Sequence, residues 1–367
     1  MKKQVRFYQR EWDTNQSEKK NFSSIILITN FFLKNILIVG NWKNFLALLV
    51  FTQNYVSYLK YRNSLKPFKG LKLAMIDYDF LCPKTLILAL KSMNVKTVAT
   101  QERFIQTFYK SQGVIIDNYL TCSEISSKIM QKSKYYLAKE FINVGQYRVD
   151  KLYQFEKSKN FPPEILAPKN LNKKIIVGLG FHTKNNWVDS QTNFLINWKA
   201  QKNYLNDMIK LSETLKNAFI ILRFKSLEWC ANPEFKVYLE KIEKSENITI
   251  SNNYKESYYS YKLCAHSDLI IAKPTSLADE SLEAGKKVLI YNYTHNLNDI
   301  RSGIFDYFTP SIFCNNYLDL QKKSETMLNN DDKKVYNQNE IIKKIGFINN
   351  NKSSKEIIAE IIQGKLN

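Results

Sequence analysis

From about residue 71 to residue 291 the chain alternates short apolar runs with amphipathic stretches. The runs at 71–76, 95–100, 119–121 and 141–144 are rich in aliphatic and β-branched residues and end at polar or turn-forming ones, so they predict strands. Residues 84–93 and 124–134 space their apolar positions three and four apart, the spacing of a helix with one buried face. After residue 173 the alternation restarts. Strands are predicted at 174–180, 218–224, 248–250, 268–272 and 287–291, with helices at 204–216, 233–244, 254–265 and 277–284. Strands apolar on both faces and separated by helices belong in parallel sheets with helices on either side.

Between the two alternating halves, residues 161–173 carry Pro162, Pro163 and Pro168 among lysines and asparagines, the composition of a linker. The expectation is an N-terminal domain over residues 1–160 and a C-terminal one over residues 174–367. The expected fold class is α/β, with two Rossmann-like, doubly wound domains facing a cleft. No short-period repeat argues for a solenoid. Open parallel sheets bind ligands beyond the carboxyl ends of their strands, so candidate chemistry is sought in the loops that follow strands.

The first 65 residues fall outside this pattern. Residues 22–40 are long enough to be weighed as a membrane span, but Lys34 near their middle would cost about 2.5–3.5 kcal/mol in a spanning helix. A buried strand and helix, or a helix lying on a membrane surface, is expected instead. Residues 42–59 continue with aromatic and aliphatic side chains beside Lys43 and Lys60, as an interfacial or core helix would. Residues 1–20 are polar and charged, so no secretory signal is expected there.

Five cysteines without a CxxC pair and three widely spaced histidines argue for a reducing, cytoplasmic compartment and against a zinc site. The formal charge of +20 raises the question of nucleic acid. Lysine supplies almost all of it, alongside many Asn, Ile and Tyr, a mixture that an AT-rich genome writes at free surface positions. No basic run is interleaved with aromatics at stacking spacing, and nucleic acid is not an expected partner. Arginine is confined to Arg6, Arg10, Arg62, Arg103, Arg148, Arg223 and Arg301. A chain that otherwise uses lysine keeps arginine where a planar fork grips phosphate or carboxylate.

The most informative segment is 267–291, SDLIIAKPTSLADESLEAGKKVLIY. A buried strand enters a hydroxylated loop with Thr275 and Ser276, a helix containing Glu280 follows, and Gly285 turns into another buried strand. The segment resembles the second domain of GT-B fold glycosyltransferases of bacterial surface polysaccharide biosynthesis, in which an acidic residue stands five positions before such a glycine. Hydroxyls and N–H groups at a helix N-terminus form an anion site fit for a diphosphate, and a carboxylate one turn inside can accept both hydroxyls of a ribose. The alternative is local: Thr275 or Ser276 caps the helix and Glu280 supports the cap.

Further candidates lie at other predicted strand ends. Gln101, Glu102 and Arg103 stand where wall-polymer glycerophosphotransferases, which the chain resembles distantly, have a Gln-His-Gly tripeptide. Glu102 replaces the histidine, so a carboxylate is the expected catalytic base; the alternative is that Glu102 pairs with Arg103 or a nearby lysine on the surface. The stretch NVGQYRVDKL at 143–152 is similar to a Gly-x-x-Arg-x-Asp turn in the same families, with Gly145 making the turn and Arg148 at the cleft or paired with Asp150. Gly178, Gly180 and His182 follow one strand and are candidates for a phosphate, as are Arg223 and Lys225 after another. Arg301 is a lesser candidate. Asp77 and Asp79 have the Asp-x-Asp spacing of a metal-dependent GT-A enzyme, and a strand-end turn is the reading preferred here.

The resemblance implies a metal-independent glycosyltransferase that needs no cofactor, with a nucleotide sugar as substrate; the alternatives are a polyol-phosphate (glycerophosphate) transferase of a wall or capsule polymer and a non-catalytic basic binding protein. The first domain would bind a glycan or lipid-linked acceptor and the second the nucleotide. With a lipid-borne acceptor and a basic surface, the expected place is the anionic inner face of the plasma membrane, as in capsule or lipopolysaccharide synthesis.

Overall fold

The computed structural model describes residues 22–77, 82–101, 114–133, 135–167, 172–180, 198–273, 275–291, 312–329, 346 and 353–366. It divides into two compact units, residues 1–74 with 81–97 and residues 75–80 with 98–367.

The first unit is helical. Helix α1 (Phe22–Ile36) turns back into α2 (Trp42–Leu65), whose N-cap Asn41 accepts a hydrogen bond from the Asn44 N–H at 3.0 Å. Phe31 stacks on Tyr55 with ring centroids 4.6 Å apart, which fastens the hairpin. Residues 22–36 thus form one continuous helix, not the strand and helix weighed from sequence. Their apolar side chains lack the alternation or the turn that a strand would need. Among the described residues no helix is long and apolar enough to cross a membrane.

A four-stranded sheet comes next in the chain, in the order β1 (Leu73–Ile76), β2 (Lys96–Thr100), β3 (Val114–Thr121), β4 (Tyr136–Asn143). Helix α3 (Lys84–Ser92) connects β1 to β2, and helix α4 (Glu124–Lys132) connects β3 to β4. Strands β2, β3 and β4 are parallel, with Thr100 opposite Leu120 and Leu120 opposite Ile142. Helix α5 (Val149–Lys157) follows β4, and the proline-rich stretch after it contains the single turn α6 (Pro163–Leu166). That stretch is tied down, because Glu164 accepts hydrogen bonds from Ser251 at 2.9 Å and from Tyr259.

The second sheet has six parallel strands. In chain order its elements are β5 (Lys174–Leu179), α7 (Trp198–Thr214), β6 (Ala218–Arg223), α8 (Lys236–Lys244), β7 (Ile248–Ile250), α9 (Tyr259–Ala265) and β8 (Leu269–Ala272). Helix α10 (Ser276–Glu283), β9 (Val288–Tyr291), β10 (Phe313–Cys314) and α11 (Tyr317–Asn329) complete it. Strands β5, β6, β8 and β9 are almost wholly buried, as strands covered on both faces must be.

The spatial order is β10-β9-β8-β5-β6-β7. Counted from β5 this is the doubly wound order in which the chain first builds outward to one side and then returns to build on the other. The reversal falls between β5 and β8. The chain ends in α12 (Ser354–Leu366), whose first N–H groups, of Ser354 and Lys355, each donate to Asp150 at 3.2 Å. The C-terminal helix therefore returns to the side of α5 and the first sheet.

Candidate functional site

The switch point lines up three strand ends. Leu179, the last residue of β5, pairs with Arg223 of β6 on one side and Ala272 of β8 on the other. Two backbone bonds carry the alignment one residue further, from the Gly180 N–H to the Arg223 carbonyl at 2.9 Å and from the Lys273 N–H to the Leu179 carbonyl at 3.1 Å. Open sheets bind ligands in the crevice at such a place.

Helix α10 starts beside it. Thr275 takes the extended N-cap conformation, and its own side chain makes no capping hydrogen bond. The next charged group, Asp279, is buried with neither carboxylate oxygen hydrogen-bonded among the described residues. Burial first, and the neighbouring Glu280 second, push its acid well above the ordinary carboxylate range, toward the neutral form. Among the described residues the first turn of α10 thus keeps the positive character of a helix N-terminus that Thr275 does not cap. At its other end Gly285, at φ +86°, terminates the helix, and the Lys286 N–H closes onto the Ser281 carbonyl at 2.9 Å.

Glu280 is only 2% exposed. Arg148 Nη1 lies 3.8 Å from its Oε1, and the Tyr261 hydroxyl interacts with both residues. Burial and the Glu280 charge raise the Tyr261 phenol, which stays a neutral donor. Gly145, at φ +75°, makes the turn that sequence predicted and aims the following residue at α10. The Gln146 N–H lies 3.2 Å from both oxygens of Glu283, and its amide donates to one of them at 2.9 Å. Burial pushes Glu283 up to about 8, opposed by those hydrogen bonds. Arg148 and Asp150, which the sequence offered as a hinge pair, turn to different partners: Glu280 for one and the start of α12 for the other.

The remaining candidates divide. Arg223 is buried, its guanidinium 4.1 Å from the Tyr254 ring and its Nε donating to Ser260 at 3.1 Å. Its Nη1 has no hydrogen-bond partner among the described residues. Burial lowers its pKa, against the pull of Tyr254, Tyr259 and Glu164. Lys225, by contrast, is exposed, so the two cations do not share one environment. Gly178 and Gly180 are accounted for by packing. A Cβ at Gly180 would meet the Phe224 ring at 2.1 Å, and one at Gly178 would meet Leu222 at 2.7 Å and the Tyr204 hydroxyl at 2.8 Å.

Gln101 is buried and accepts from the Cys122 N–H at 2.9 Å, which holds the end of β2 to β3. Asp77 accepts from Tyr147 at 2.8 Å and lies 3.4 Å from the Thr100 hydroxyl. Glu102, Arg103, His182, Arg301 and Asp79 lie outside the described residues. Among the described residues no group of three His, Cys, Asp or Glu could hold a metal ion.

Two features went unnoticed in the sequence. Lys273 is buried, its Nζ 3.0 Å from Gln201 Oε1, and burial lowers its pKa to about 7. Its signal was a lysine directly after four apolar strand residues. The second is a cavity of about 280 Å³ at the ends of β1 and β2, lined by Met75, Asp77, Thr100 and Tyr147 and by Lys355, Ile358, Ala359 and Ile362. Half of that lining comes from α12, hundreds of residues away, which no local pattern could reveal.

No family model matches the sequence, and no curated protein matches it. Solved structures do share its fold. A structure of S. aureus MnaA with UDP aligns with TM-score 0.55 and 12% identity over 86% of this chain and 79% of its own. A UDP-GlcNAc 2-epimerase from Neisseria meningitidis bound to UDP-GlcNAc aligns with TM-score 0.54 and 12% identity over 85% and 81%. A glycosyltransferase from Rickettsia africae aligns with TM-score 0.51 and 16% identity over 96% and 84%. At such identities the likeness is one of fold: two parallel sheets flanked by helices, in an α/β arrangement of two Rossmann-like domains.

Proposed function

We propose that the chain is a metal-independent glycosyltransferase that moves a sugar from a nucleotide-activated donor to a growing surface polysaccharide or lipid-linked glycan. The observation that carries the reading is the first turn of α10 at the switch point, which the Thr275 side chain does not cap, one turn from the buried Glu280. In this reading the donor diphosphate meets the N-terminal N–H groups of α10 with Thr275 and Ser276. Asp279, held toward its neutral form, does not repel it. Lys273, with a pKa near 7, gains its proton as the phosphate arrives. Glu280 accepts the ribose hydroxyls, exchanging its contact with Arg148 for them. Arg223 and Lys225 neutralise charge on the leaving diphosphate. Side chains and a helix end thus serve where other enzymes use a divalent ion.

On the other side of the reaction, the cavity beneath α12 is the place for part of the acceptor, and Glu102 is the base that removes its hydroxyl proton. A lipid-borne acceptor sets the enzyme at the inner face of the plasma membrane, in a pathway such as capsule or lipopolysaccharide synthesis. The reading gains support from solved structures of this fold that hold UDP and UDP-GlcNAc and from one named as a glycosyltransferase.

The test is product analysis with radiolabelled sugar nucleotides, with and without lipid-linked glycan acceptors. Transfer of label to the acceptor, with slow hydrolysis in its absence, is the expected result. Epimerisation of UDP-GlcNAc without acceptor, or transfer of a polyol phosphate in place of a sugar, would contradict it.

A further inference from the structure

The hairpin of α1 and α2 carries an exposed apolar tip. Leu37 is 90% exposed, Ile38 76% and Trp42 67%, and Leu33 and Leu46 extend the patch down both helices. Monomeric proteins seldom present such a contiguous surface to water without a partner for it. Along the described hairpin the charges all have one sign. Lys34 closes the last turn of α1 and Lys43 stands in the first turn of α2, and both are exposed. Among residues 22–74 and 82–97 every charged side chain is Lys or Arg, with no Asp or Glu.

We propose that this tip inserts into the interfacial layer of an anionic lipid bilayer. Leu37, Ile38 and Trp42 enter the boundary of the acyl chains, and Lys34 and Lys43 meet lipid phosphates. Tryptophan and leucine on such an element favour that layer, and a cation-only surround is drawn to an anionic leaflet. A second copy of the chain is the rival occupant. Docking two cation-only hairpins would bring like charges together with no carboxylate to pair them, which opposes that use. Spanning is also opposed, because the 15 residues of α1 reach about 22 Å against a hydrocarbon core of about 30 Å. The inference rests on this unit's own residues and stands whether or not the donor reading holds.

The test is flotation of the full chain with vesicles of equal parts phosphatidylcholine and phosphatidylglycerol, beside vesicles of phosphatidylcholine alone. Binding to the anionic vesicles is expected, weaker by about tenfold on the neutral ones and released by high salt. The double variant Leu37→Glu/Ile38→Glu and the double variant Lys34→Glu/Lys43→Glu should each lose about tenfold of it. All four positions are exposed, and unchanged circular dichroism and melting establish that the variants fold. Undiminished flotation of both folded variants would overturn the proposal. So would protein that stays with the membrane at high salt and needs detergent, the behaviour of a true span. A lipid-free dimer, seen by sedimentation velocity and split by Leu37→Glu/Ile38→Glu, would make the tip an interface between copies and would equally overturn it.

Discussion

Arg148 Nη1 stands 3.8 Å from Glu280 Oε1, and this contact joins the turn after the first sheet to the helix at the switch point of the second. Glu280 is almost wholly buried, whereas Arg148 keeps a quarter of its side chain in water. Removing the arginine leaves a carboxylate in a poorly solvated place. Arg148→Ala should therefore lower stability by about 1–3 kcal/mol in urea unfolding, and adding Glu280→Gln should recover part of the loss. Additive losses in the double variant would mean that the two side chains do not act as a pair.

Lys273 gives a pH signature. Its folded pKa is near 7 against an ordinary 10.5, so between those values the unfolded chain binds the proton that the folded chain has released. Stability from this group must rise with pH across that window. Melting temperatures of wild type and Lys273→Met, compared at several pH values, should show the wild type gaining on the variant from pH about 7 upward. A constant difference would place the amine in water and end its assignment to the site.

Gly180 separates packing from binding. Alanine there drives a methyl into the Phe224 ring, so Gly180→Ala should cost about 1–3 kcal/mol of stability. Gly180→Ala with Phe224→Leu should regain much of it. If stability returns but nucleotide affinity stays low, the glycine also serves a phosphate, as its place after β5 first suggested.

Much of this architecture is legible in the sequence because burial on both faces writes unbroken apolar runs. KIIVGL, AFIILR and LIIA mark β5, β6 and β8 within a residue or so. Glu280 and Gly285 stand out only through the resemblance to GT-B second domains, and the structure puts the first inside α10 and the second just past its end. What the sequence hides is what distant segments supply. Helix α5 was missed because its residues look like a polar turn, although Val149 and Leu152 are buried. The role of Asp150 depends on α12, two hundred residues later, and the role of Gln146 depends on Glu283. The continuous run at 22–36 left a buried strand and helix and a surface helix both open, since apolar residues usually signal burial and here many face outward from one helix.

The catalytic base is Glu102 in the proposed mechanism. Glu102→Gln should lower kcat by about 10²- to 10⁴-fold with donor affinity nearly unchanged, and activity should survive excess EDTA. Near-normal turnover in Glu102→Gln alongside an inactive His182→Ala would move the base to the second domain. Activity lost to EDTA and restored by manganese would favour a metal at Asp77 and Asp79.

The central claim is that a nucleotide binds at α10 through Glu280, and calorimetric titration of UDP and other nucleoside diphosphates into wild type and Glu280→Gln tests it most directly. The account predicts saturable binding to the wild type without added metal, weakened in the variant by about 1–3 kcal/mol while its melting shows a folded protein. Equal affinity in the two proteins, or no binding of any nucleotide to the wild type, would contradict it.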